Sequence, residues 1–287
     1  MPAVIKHFFD APTFTFTYVV HDSETKLGVV IDPVLNYEPA AGKCTTESVK
    51  HLVNYVESEN ISIEYLLETH IHADHLSGTS ALKDAIGGKV GIGSQVVQIQ
   101  ETFADVFNVE SSFTADGSQF DVLFKDDESF TVGKLQFKVW HTPGHTPACV
   151  SYLVEDSIFV GDTLFMPDYG TARTDFPAGS AQNLYHSIQR ILSLPDQTRI
   201  FLCHDYGTES RPEVSEQTTV EEEKLHNIHI GHLTSEEQFI KMREARDAKL
   251  STPALLYPSV QFNMRSANFP PAEKNGVEYF KIPLAPT

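Results

Sequence analysis

The segment Thr69-His70-Ile71-His72-Ala73-Asp74-His75 decides the fold, because it places three histidines and one aspartate within six positions. The apolar run Tyr65-Leu66-Leu67 precedes it, and this pattern predicts a short buried strand that ends in a loop at His70. Alternation puts His70, His72 and Asp74 on one side while the strand geometry persists. A lone histidine would favour a solvated polar loop, whereas imidazoles and a carboxylate that converge at a strand end favour a metal site.

Length and charge limit the classes of protein that the chain can represent. The 287 residues allow one large domain or two small ones, and the hydrophobic fraction of 41% is enough for a sizeable core. Lys and Arg number 21 against 39 Asp and Glu, so the net charge is −18. This charge argues against nucleic acid or an anionic membrane as a partner. An anionic substrate would need local positive charge, because the global field repels it.

The cysteines and apolar segments give an expectation about the compartment. Three widely spaced cysteines make no disulfide framework and no zinc-ribbon pattern, which fits a reducing environment. The N-terminus has no apolar segment of the signal-peptide type, and no apolar run approaches transmembrane length. We therefore expect a cytoplasmic protein that is not bound to a membrane. A monomer and a homodimer both stay open.

The order of predicted elements indicates the fold class. Apolar or alternating runs predict strands over residues 13–20, 27–31, 63–69, 90–92, 120–124, 135–140, 149–154, 158–160 and 199–202. Helical spacing predicts helices over 46–58, 77–86 and 181–192, the last with Ser180 as its N-cap, and a short helix followed by a loop is expected over 95–117. A β-rich half and a helix, followed by a second β-rich half and a helix, predict an α/β fold. Two sheets lie back to back with helices outside, which makes a four-layer sandwich.

Residues 211–287 differ in character from residues 1–210, and we expect them to form a C-terminal extension packed on the main domain. The segments 218–221 and 234–237 both match the capping box and predict two helices. The apolar segment 254–262 predicts an additional strand.

Polar side chains that follow the predicted strands form one constellation: His70, His72, Asp74, His75, His145, Asp162 and His204. Because strand ends of one sheet stack meet along a single edge, we expect one site there. His145 follows Pro143-Gly144, where glycine permits a tight turn that aims the ring. Asp162 follows Gly161, and a carboxylate at that position could be a terminal or a bridging ligand. Considered alone, His145 would be interpreted as an ordinary loop histidine and Asp162 as a turn residue or helix cap. Considered together with the histidine cluster, both residues favour a metal site.

The cluster with His145, Asp162 and His204 resembles the metallo-β-lactamase superfamily, whose fold is an αβ/βα sandwich of this kind. Within that superfamily, further segments resemble the persulfide dioxygenases, which oxidise glutathione persulfide to sulfite. These segments are residues 14–18, 31–35, 143–147, Arg173-Thr174-Asp175-Phe176, His204-Asp205-Tyr206 and Asn263-Met264-Arg265. The resemblance covers essentially the whole chain. It departs from the short family members at Ala172, where they have glycine, and in the longer loop over 166–171.

The resemblance implies one Fe(II) per chain, held by His70, His145 and Asp162 as a two-histidine-one-carboxylate triad with open positions. The substrates would be a low-molecular-weight persulfide, with glutathione as the expected carrier, and O₂. The products would be sulfite and the free thiol. The remaining polar groups would orient ligands and water around the metal: His72, Asp74, His75, His204 and Asp205.

The ligand residues alone leave a different enzyme open, because all seven ligands of a dizinc hydrolase are present. Enzymes of the glyoxalase II type use such a metal pair to activate hydroxide against a glutathione thioester. In that alternative, His72 binds one zinc ion, and Asp74, His75 and His204 bind the other. A non-catalytic metal-binding or sulfur-carrier protein is a third class, and open coordination positions in a cleft argue for an enzyme instead.

Three residues of the resembling segments are candidates for substrate binding, each with a structural alternative. Arg173 could pair bidentately with a glutathione carboxylate or form an ion pair with Asp175. Asn263 and Arg265 have the same two interpretations, substrate contact or structural contact.

Other residues of note receive structural interpretations. Cys149 and Cys203 lie in strand patterns and are predicted to be buried thiols. His226, His229 and His232 are spaced by three and are predicted to complement a helix dipole instead of forming a second metal site.

Overall fold

The computed structural model describes residues 3–231 and 233–284, and strands and helices alternate along most of this length. The strands are β1 (Ala3–Asp10), β2 (Thr15–Asp22), β3 (Leu27–Ile31), β4 (Val34–Glu38), β5 (Lys43–Thr45), β6 (Ser62–Leu67), β7 (Leu76–Ser77), β8 (Lys89–Gly93), β9 (Val122–Phe124), β10 (Ser129–Val132), β11 (Leu135–His141), β12 (Val150–Val154), β13 (Ser157–Phe159), β14 (Arg199–Phe201) and β15 (Gln217–Thr219). The helices are α1 (Glu47–Ser58), α2 (Thr79–Ile86), α3 (Val96–Phe107), α4 (Ala181–Leu192), α5 (Val220–His226), α6 (Glu236–Asp247) and α7 (Leu256–Asn263).

Two mixed six-stranded sheets form the centre of the protein. The first has the strand order β1-β2-β3-β6-β8-β9, and the second has the order β10-β11-β12-β13-β14-β15. Strand β2 pairs antiparallel with β3, which confirms the predicted hairpin, and β6 then adds parallel to β3. In the second sheet, β12 and β13 form the other predicted hairpin, and β14 lies parallel to β13. A small sheet, β5-β4-β7, lies beside the first one.

Three separate hydrophobic clusters show that the protein has four layers. The cluster between the two sheets contains Phe16 and Leu67 from the first sheet and Tyr152 from the second. A second cluster packs α1, α2 and α3 on the outer face of the first sheet, for example through Leu52. A third cluster packs α4, α5 and α6 on the outer face of the second sheet, for example through Leu184. The predicted four-layer α/β sandwich is therefore confirmed.

The predicted helix starts agree with the structure where the cap is unambiguous. Ser180 caps α4 and accepts a hydrogen bond from the backbone N–H of Asn183, as predicted. In the C-terminal part both predicted helices form, but Thr219 and Ser235 cap them instead of the residues one position earlier. Two neighbouring hydroxyl residues can each cap the same helix, and the packing of the helix determines which of them does so.

The prediction of a strand over residues 254–262 is wrong, because this segment contains helix α7. An apolar run of this length fits a buried strand and a buried helix equally well. Pro258 lies near the start of the helix, where a missing N–H costs little. The edge strands β1 and β10 were not predicted either. Strand β1 mixes polar and apolar residues without strict alternation, and β10 is only four residues long.

The C-terminal residues are joined to the sandwich at several places, and α5 and α6 pack with α4 as described above. Strand β15 completes the second sheet beside β14, and α7 packs against the small sheet near β7. The boundary at residue 210 stays a prediction. Among the described residues, no helix is both long and apolar enough to cross a membrane.

Candidate metal centre

The loop over residues 68–75, which follows β6, carries the histidine cluster and is fixed from two sides. On one side, Asp32 accepts hydrogen bonds from the backbone N–H of Thr69 at 2.7 Å and from its hydroxyl at 2.8 Å. On the other side, the buried amide of Asn263 donates to the carbonyls of His72 and His75, both at 2.9 Å. The residue that directly follows β3 and the last residue of α7 thus hold the same loop.

His145 reaches the loop from the second sheet because Gly144 allows a sharp turn. Gly144 has a φ of 150°, and a Cβ at this position would lie 2.4 Å from the Cα of Leu184. The Nδ1–H of His145 donates to the carbonyl of Arg173 at 2.8 Å, which directs its Nε2 towards the site. Glycine is therefore required for the close approach of this loop to α4.

Donor atoms of His70, His145 and Asp162 lie within 4.8 Å of one another and form the first donor group. The Oδ2 of Asp162 is 3.9 Å from His70 Nε2 and 3.7 Å from His145 Nε2. All three side chains are buried. Two imidazoles and one carboxylate are the ligands expected of the predicted triad.

Donor atoms of His72, Asp74, His75 and His204 also lie within 4.8 Å of one another and form the second donor group. The Oδ2 of Asp74 is 3.3 Å from His204 Nε2 and 3.4 Å from His75 Nδ1. Alternation had predicted His70, His72 and Asp74 on one side. The strand ends at Leu67 instead, so the loop places His70 in a different group from His72 and Asp74.

Asp162 connects the two groups. While its Oδ2 faces His70 and His145, its Oδ1 lies 3.4 Å from His204 Nε2. A carboxylate whose two oxygens face separate donor groups has the disposition of a bridging ligand.

The unpartnered atoms of the site test whether these residues fit a metal. Among the described residues, several buried donor atoms of the two groups have no hydrogen-bond partner: His70 Nε2, His72 Nδ1, His75 Nε2, His204 Nε2 and Asp162 Oδ1. Unpartnered buried polar atoms are rare, and here they lie together. His72 Nε2 meanwhile lies 3.1 Å from the Oδ1 of Asp32, the carboxylate–histidine arrangement of metal ligands. The residues therefore fit one or two divalent ions.

The charges around the site set the protonation of its histidines. Burial lowers the pKa of His70 well below its ordinary value, so its ring is neutral and offers a lone pair. Burial alone would also lower the pKa of His72, but the charge and hydrogen bond of Asp32, together with hydrogen bonds to Cys203 and Glu68, outweigh it and hold the pKa well above the ordinary value. Metal binding at His72 would therefore release a proton.

A cavity of about 290 Å³ opens beside the metal-binding side chains. It is lined by Asp74, His145 and Asp162, and also by aromatic and cationic side chains: Phe165, Tyr169, Tyr206, Arg173, His229, Arg243 and Arg246. Two of the three guanidinium groups at this cavity are paired with carboxylates, Arg173 with Asp175 and Arg243 with Asp247. Arg246 makes no ion pair within residues 3–231 and 233–284, so it supplies the local positive charge that an anionic substrate would need in a chain of net charge −18.

The predicted substrate-binding residues have different places in the structure. Arg173 lines the cavity, but its guanidinium is paired bidentately with Asp175 at 2.5 and 2.6 Å. Asn263 holds the metal-binding loop, and Arg265 is paired with Glu110 and lines other pockets. The contacts made by these residues are those of the structural alternatives.

The structure also shows the surroundings of Asp205 and of the two cysteines that were predicted to be buried. Asp205 is buried and accepts a bidentate ion pair from Arg211 at 2.5 and 2.9 Å, outside both donor groups. Cys149 is a buried thiol, as predicted, and burial raises its pKa to about 12. Cys203 is likewise buried.

Several cavity-lining residues were missed by sequence reasoning, among them His229 and Arg246. Helix α5 ends at His226, so His229 lies beyond it and cannot act as the helix-terminal charge that the spacing predicted. His232 lies outside the described residues. Arg246 is an exposed residue of α6 that lines the cavity, and nothing in its sequence context distinguishes it from an ordinary surface arginine.

Comparisons with known proteins agree with this fold and site. The model of the Metallo-beta-lactamase superfamily matches residues 10–204. "Glyoxylase B2" of Dictyostelium discoideum is 48% identical over 98% of this chain and 97% of its own, and "Probable metallo-hydrolase" of Burkholderia pseudomallei is 46% identical over 98% of each. Mitochondrial persulfide dioxygenase ETHE1 of Homo sapiens is 30% identical over 92% of this chain and 89% of its own. The crystal structure of ETHE1 from Myxococcus xanthus, at 30% identity, matches 92% of this chain and 100% of that one with a TM-score of 0.73.

Proposed function

Since this chain belongs to the metallo-beta-lactamase superfamily and is a metal-dependent enzyme with that fold, we propose that it hydrolyses thioesters of a low-molecular-weight thiol, with glutathione as the carrier. The observation that carries the proposal is the position of Asp162, whose two oxygens face two groups of unpartnered donor atoms. The names of the relatives at 46–48% identity, a glyoxylase and a metallo-hydrolase, support the same reaction class.

The two donor groups would hold one ion each. His72, whose ring centroid lies 4.0 Å from that of His70, would leave the second group and join His70, His145 and Asp162 around the first ion. Asp74, His75 and His204 would hold the second ion, with Asp162 between the two. Bound in this way, a metal pair supplies an activated water nucleophile and polarises the thioester carbonyl. In the overall reaction, the hydroxyl of one water adds to the acyl carbon, the carbon–sulfur bond breaks, and the remaining proton ends on the thiol.

The chain supplies groups that orient the site and handle the leaving thiolate. Asp32 orients His72, and the carbonyl of Arg173 orients His145. Tyr206 lines the cavity, and burial, followed by the charges of Asp74 and Asp162, raises the pKa of its hydroxyl well above the ordinary value. The phenol therefore stays protonated and is available to donate a hydrogen bond to the departing sulfur.

A second candidate function, oxidation of a low-molecular-weight persulfide, has its own supporting observation. His70, His145 and Asp162 form a group of three, while His72 Nε2 is drawn towards Asp32 at 3.1 Å and Glu68 at 3.4 Å. A ferrous ion in such a triad supplies a centre that accepts both a persulfide sulfur and O₂. The reaction is RSSH + O₂ + H₂O → RSH + H₂SO₃. The persulfide dioxygenase relatives at 30% identity support this candidate more weakly than the closer relatives support hydrolysis.

The resembling segments do not separate the two candidates. Arg173 pairs with Asp175, and Asn263 fixes the loop that carries the cluster. Phe176 packs against the ring of His145, with ring centroids 6.0 Å apart. These contacts support the metal centre of either enzyme.

The deciding experiment measures both reactions on the same protein. Protein loaded with zinc and protein loaded anaerobically with Fe(II) are each given an S-acylglutathione and glutathione persulfide. Thioester loss, oxygen uptake and metal per chain are recorded for both preparations. We expect thioester hydrolysis with two metals per chain. Oxygen uptake with sulfite formation at one iron per chain, without thioester hydrolysis, would replace the first proposal with the second.

A further inference from the structure

An aromatic surface lines the cavity beside the second donor group. The rings of Phe165, Tyr169 and Tyr206 all line the cavity, and their centroids lie between 5.1 and 6.1 Å apart. The ring of Tyr206 also stacks on the imidazole of His204, with centroids 5.8 Å apart and an interplanar angle of 16°. The aromatic surface therefore begins directly at a candidate metal ligand.

Two of these rings are only partly packed by the protein itself. Tyr169 is 37% exposed and Tyr206 is 39% exposed, whereas Phe165 is buried. Rings that only supported the metal ligands would be more stable if they were buried, because apolar area in contact with water is unfavourable. The parts of the two tyrosines that face the cavity are therefore available to a ligand.

Arg211 connects the two exposed tyrosines through the residues that precede them. It forms a bidentate ion pair with Asp168, next to Tyr169, at 2.9 and 3.0 Å. It forms a second bidentate ion pair with Asp205, next to Tyr206, at 2.5 and 2.9 Å. Since a bidentate pair restricts the orientation of both partners, one guanidinium group fixes both ends of the surface.

The loop that carries Tyr169 is also closed by its own backbone. Leu164 pairs with Thr171 across the base of the loop. The carbonyl of Pro167 accepts a hydrogen bond at 3.0 Å from the backbone N–H of Ile228, which follows α5. A ring on a loop with these attachments is preorganised, so little conformational freedom is lost when a ligand contacts it.

The arrangement of the rings favours a flat apolar ligand group. The planes of Tyr169 and Tyr206 are inclined by 34°, and those of Phe165 and Tyr169 are inclined by 78°. The surface thus offers ring faces and ring edges together. Another aromatic ring gains free energy from offset-stacked and edge-to-face contacts, in addition to the burial of apolar area that an aliphatic group would also gain.

The surface lies where the acyl group of a bound thioester would extend. In the proposed reaction the hydroxyl of Tyr206 donates a hydrogen bond to the departing sulfur. The acyl carbon is bonded directly to that sulfur, so a substituent on this carbon can reach the neighbouring ring of Tyr169, whose centroid is 5.1 Å from that of Tyr206.

We propose that the rings of Tyr169 and Tyr206, fixed by Arg211, form a subsite for a flat apolar acyl group. Thioesters of carboxylic acids that carry an aromatic ring are then the preferred substrates. This inference rests on the proposed function, because only a thioester brings an acyl group to this surface. A thioester of a small hydroxy acid makes fewer contacts there and is a poorer substrate.

The test uses the full-length, metal-loaded protein with matched compounds. The substrates are the phenylacetyl, cyclohexylacetyl and acetyl thioesters of glutathione, and each kcat/KM is divided by the rate constant of the same thioester with hydroxide to correct for intrinsic reactivity. The non-reacting probes are S-phenacylglutathione and S-acetonylglutathione, in which a methylene between sulfur and carbonyl removes the hydrolysable bond. Titration calorimetry measures their binding.

The variants separate the ring from its support. Tyr169→Leu removes the ring but keeps an apolar side chain, whereas Tyr169→Phe keeps the ring. Asp168→Ala releases the loop from Arg211 and leaves the ion pair of Arg211 with Asp205 in place. Tyr279→Leu is the matched control, because it removes an exposed tyrosine that lies outside this cavity.

We expect the wild type to have a corrected kcat/KM about tenfold higher for the phenylacetyl than for the acetyl thioester, with the cyclohexylacetyl thioester between them, and to bind the phenacyl probe about tenfold more tightly than the acetonyl probe. Tyr169→Leu should reduce both preferences about fivefold, and Asp168→Ala should reduce them about threefold, with little change for the acetyl and acetonyl compounds. Tyr169→Phe and Tyr279→Leu should behave like the wild type.

Equal corrected kcat/KM values for the phenylacetyl and acetyl thioesters would overturn the subsite and leave the proposed function in place. Equal values for the phenylacetyl and cyclohexylacetyl thioesters would overturn its selectivity for flat groups. Equal weakening of both probes by Tyr169→Leu would also overturn the subsite, since that result describes a structural residue. Preference for the phenacyl probe that depends on Tyr169, without hydrolysis of any thioester, would overturn the proposed function and support the aromatic subsite.

Discussion

The two donor groups of the metal centre differ in the charges that surround them. The first group, His70, His145 and Asp162, contains a single carboxylate. The second group, His72, Asp74, His75 and His204, already has carboxylate partners, because Asp74 lies 3.3 Å from His204 Nε2 and Asp32 lies 3.1 Å from His72 Nε2. Even without a metal, carboxylates therefore lie closer to the imidazoles of the second group than to those of the first.

This difference indicates the order in which the groups bind metal. Both groups contain unpartnered nitrogens, but burial keeps His70 neutral and ready to bind an ion. In the second group, contacts with Cys203, Asp74 and Asp162 outweigh burial and hold the pKa of His204 well above its ordinary value, so an ion there must displace a proton. We expect the first group to bind metal more tightly. Occupancy of the second group then separates the two candidate functions, since hydrolysis by a metal pair requires it and oxidation at a single iron does not.

The largest effect is expected at the residue that the two groups share. Asp162→Ala removes the only carboxylate of the first group and the link to the second, so both sites should lose most of their metal. Activity should fall more than about 1000-fold, because the bound ions supply several kcal/mol of transition-state stabilisation. Elemental analysis and turnover of the purified variant, with circular dichroism as the check on folding, measure this. Retention of full metal content by Asp162→Ala would contradict the shared role.

A pair of substitutions compares the groups directly. If each group holds one ion, His145→Ala and His204→Ala should each lower the metal content by about one per chain. If only the first group binds metal, His204→Ala should keep nearly full occupancy while activity falls about 10–100-fold, as for other residues that act through a ligand. Metal content of the two folded variants decides between these outcomes.

A smaller and more selective effect is expected at Asn263. Its amide group holds the carbonyls of His72 and His75 and the backbone N–H of Ser77, but not the backbone of His70. Asn263→Ala leaves these buried groups without partners and should lower the free energy of unfolding by about 2–4 kcal/mol. The second group should lose metal before the first. Urea unfolding and metal titration test this. Asn268→Ala is the control, because it removes an exposed amide that bonds the carbonyls of Arg265 and Ser266 and the hydroxyl of Ser80 and makes no hydrogen bond to the loop of His72 and His75.

The smallest effect on the metal centre is expected at Glu223, which belongs to neither group. Burial raises the pKa of this carboxyl group to about 8, so the folded protein binds a proton that the unfolded chain releases near its ordinary value. Stability should therefore fall as pH rises towards about 8, with a slope on the order of 1 kcal/mol per pH unit from this group.

Glu223→Gln should remove that contribution and leave metal content unchanged. The stability advantage of the variant should increase with pH between about pH 5 and pH 8 and then stay constant. Urea unfolding at several pH values measures it. An advantage that does not change with pH would show that the carboxyl group is not protonated in the folded protein.

Much of the fold was determined by local sequence alone. The alternation in β2, the helical spacing of α1 and α4 and the hydroxyl cap Ser180 each specify their element through neighbouring residues. The histidine-rich loop at the end of β6 and the residues after Gly144 and Gly161 likewise contain the side chains that the structure brings together as candidate metal ligands. Chemistry that is concentrated in a few consecutive positions can be predicted because the chain itself brings those residues together.

Only the tertiary structure decided the features that depend on distant parts of the chain. It divided the cluster into two groups around Asp162, formed a helix over Leu256–Asn263, and used Asn263 to hold the loop of His72 and His75. It also placed Arg246 and His229 at the cavity and paired Arg173 with Asp175. The physical reason is that whether a charged or polar side chain is free, paired or buried depends on its neighbours in space. These neighbours can be far away along the sequence, as for Asn263 and His72, which are 191 residues apart.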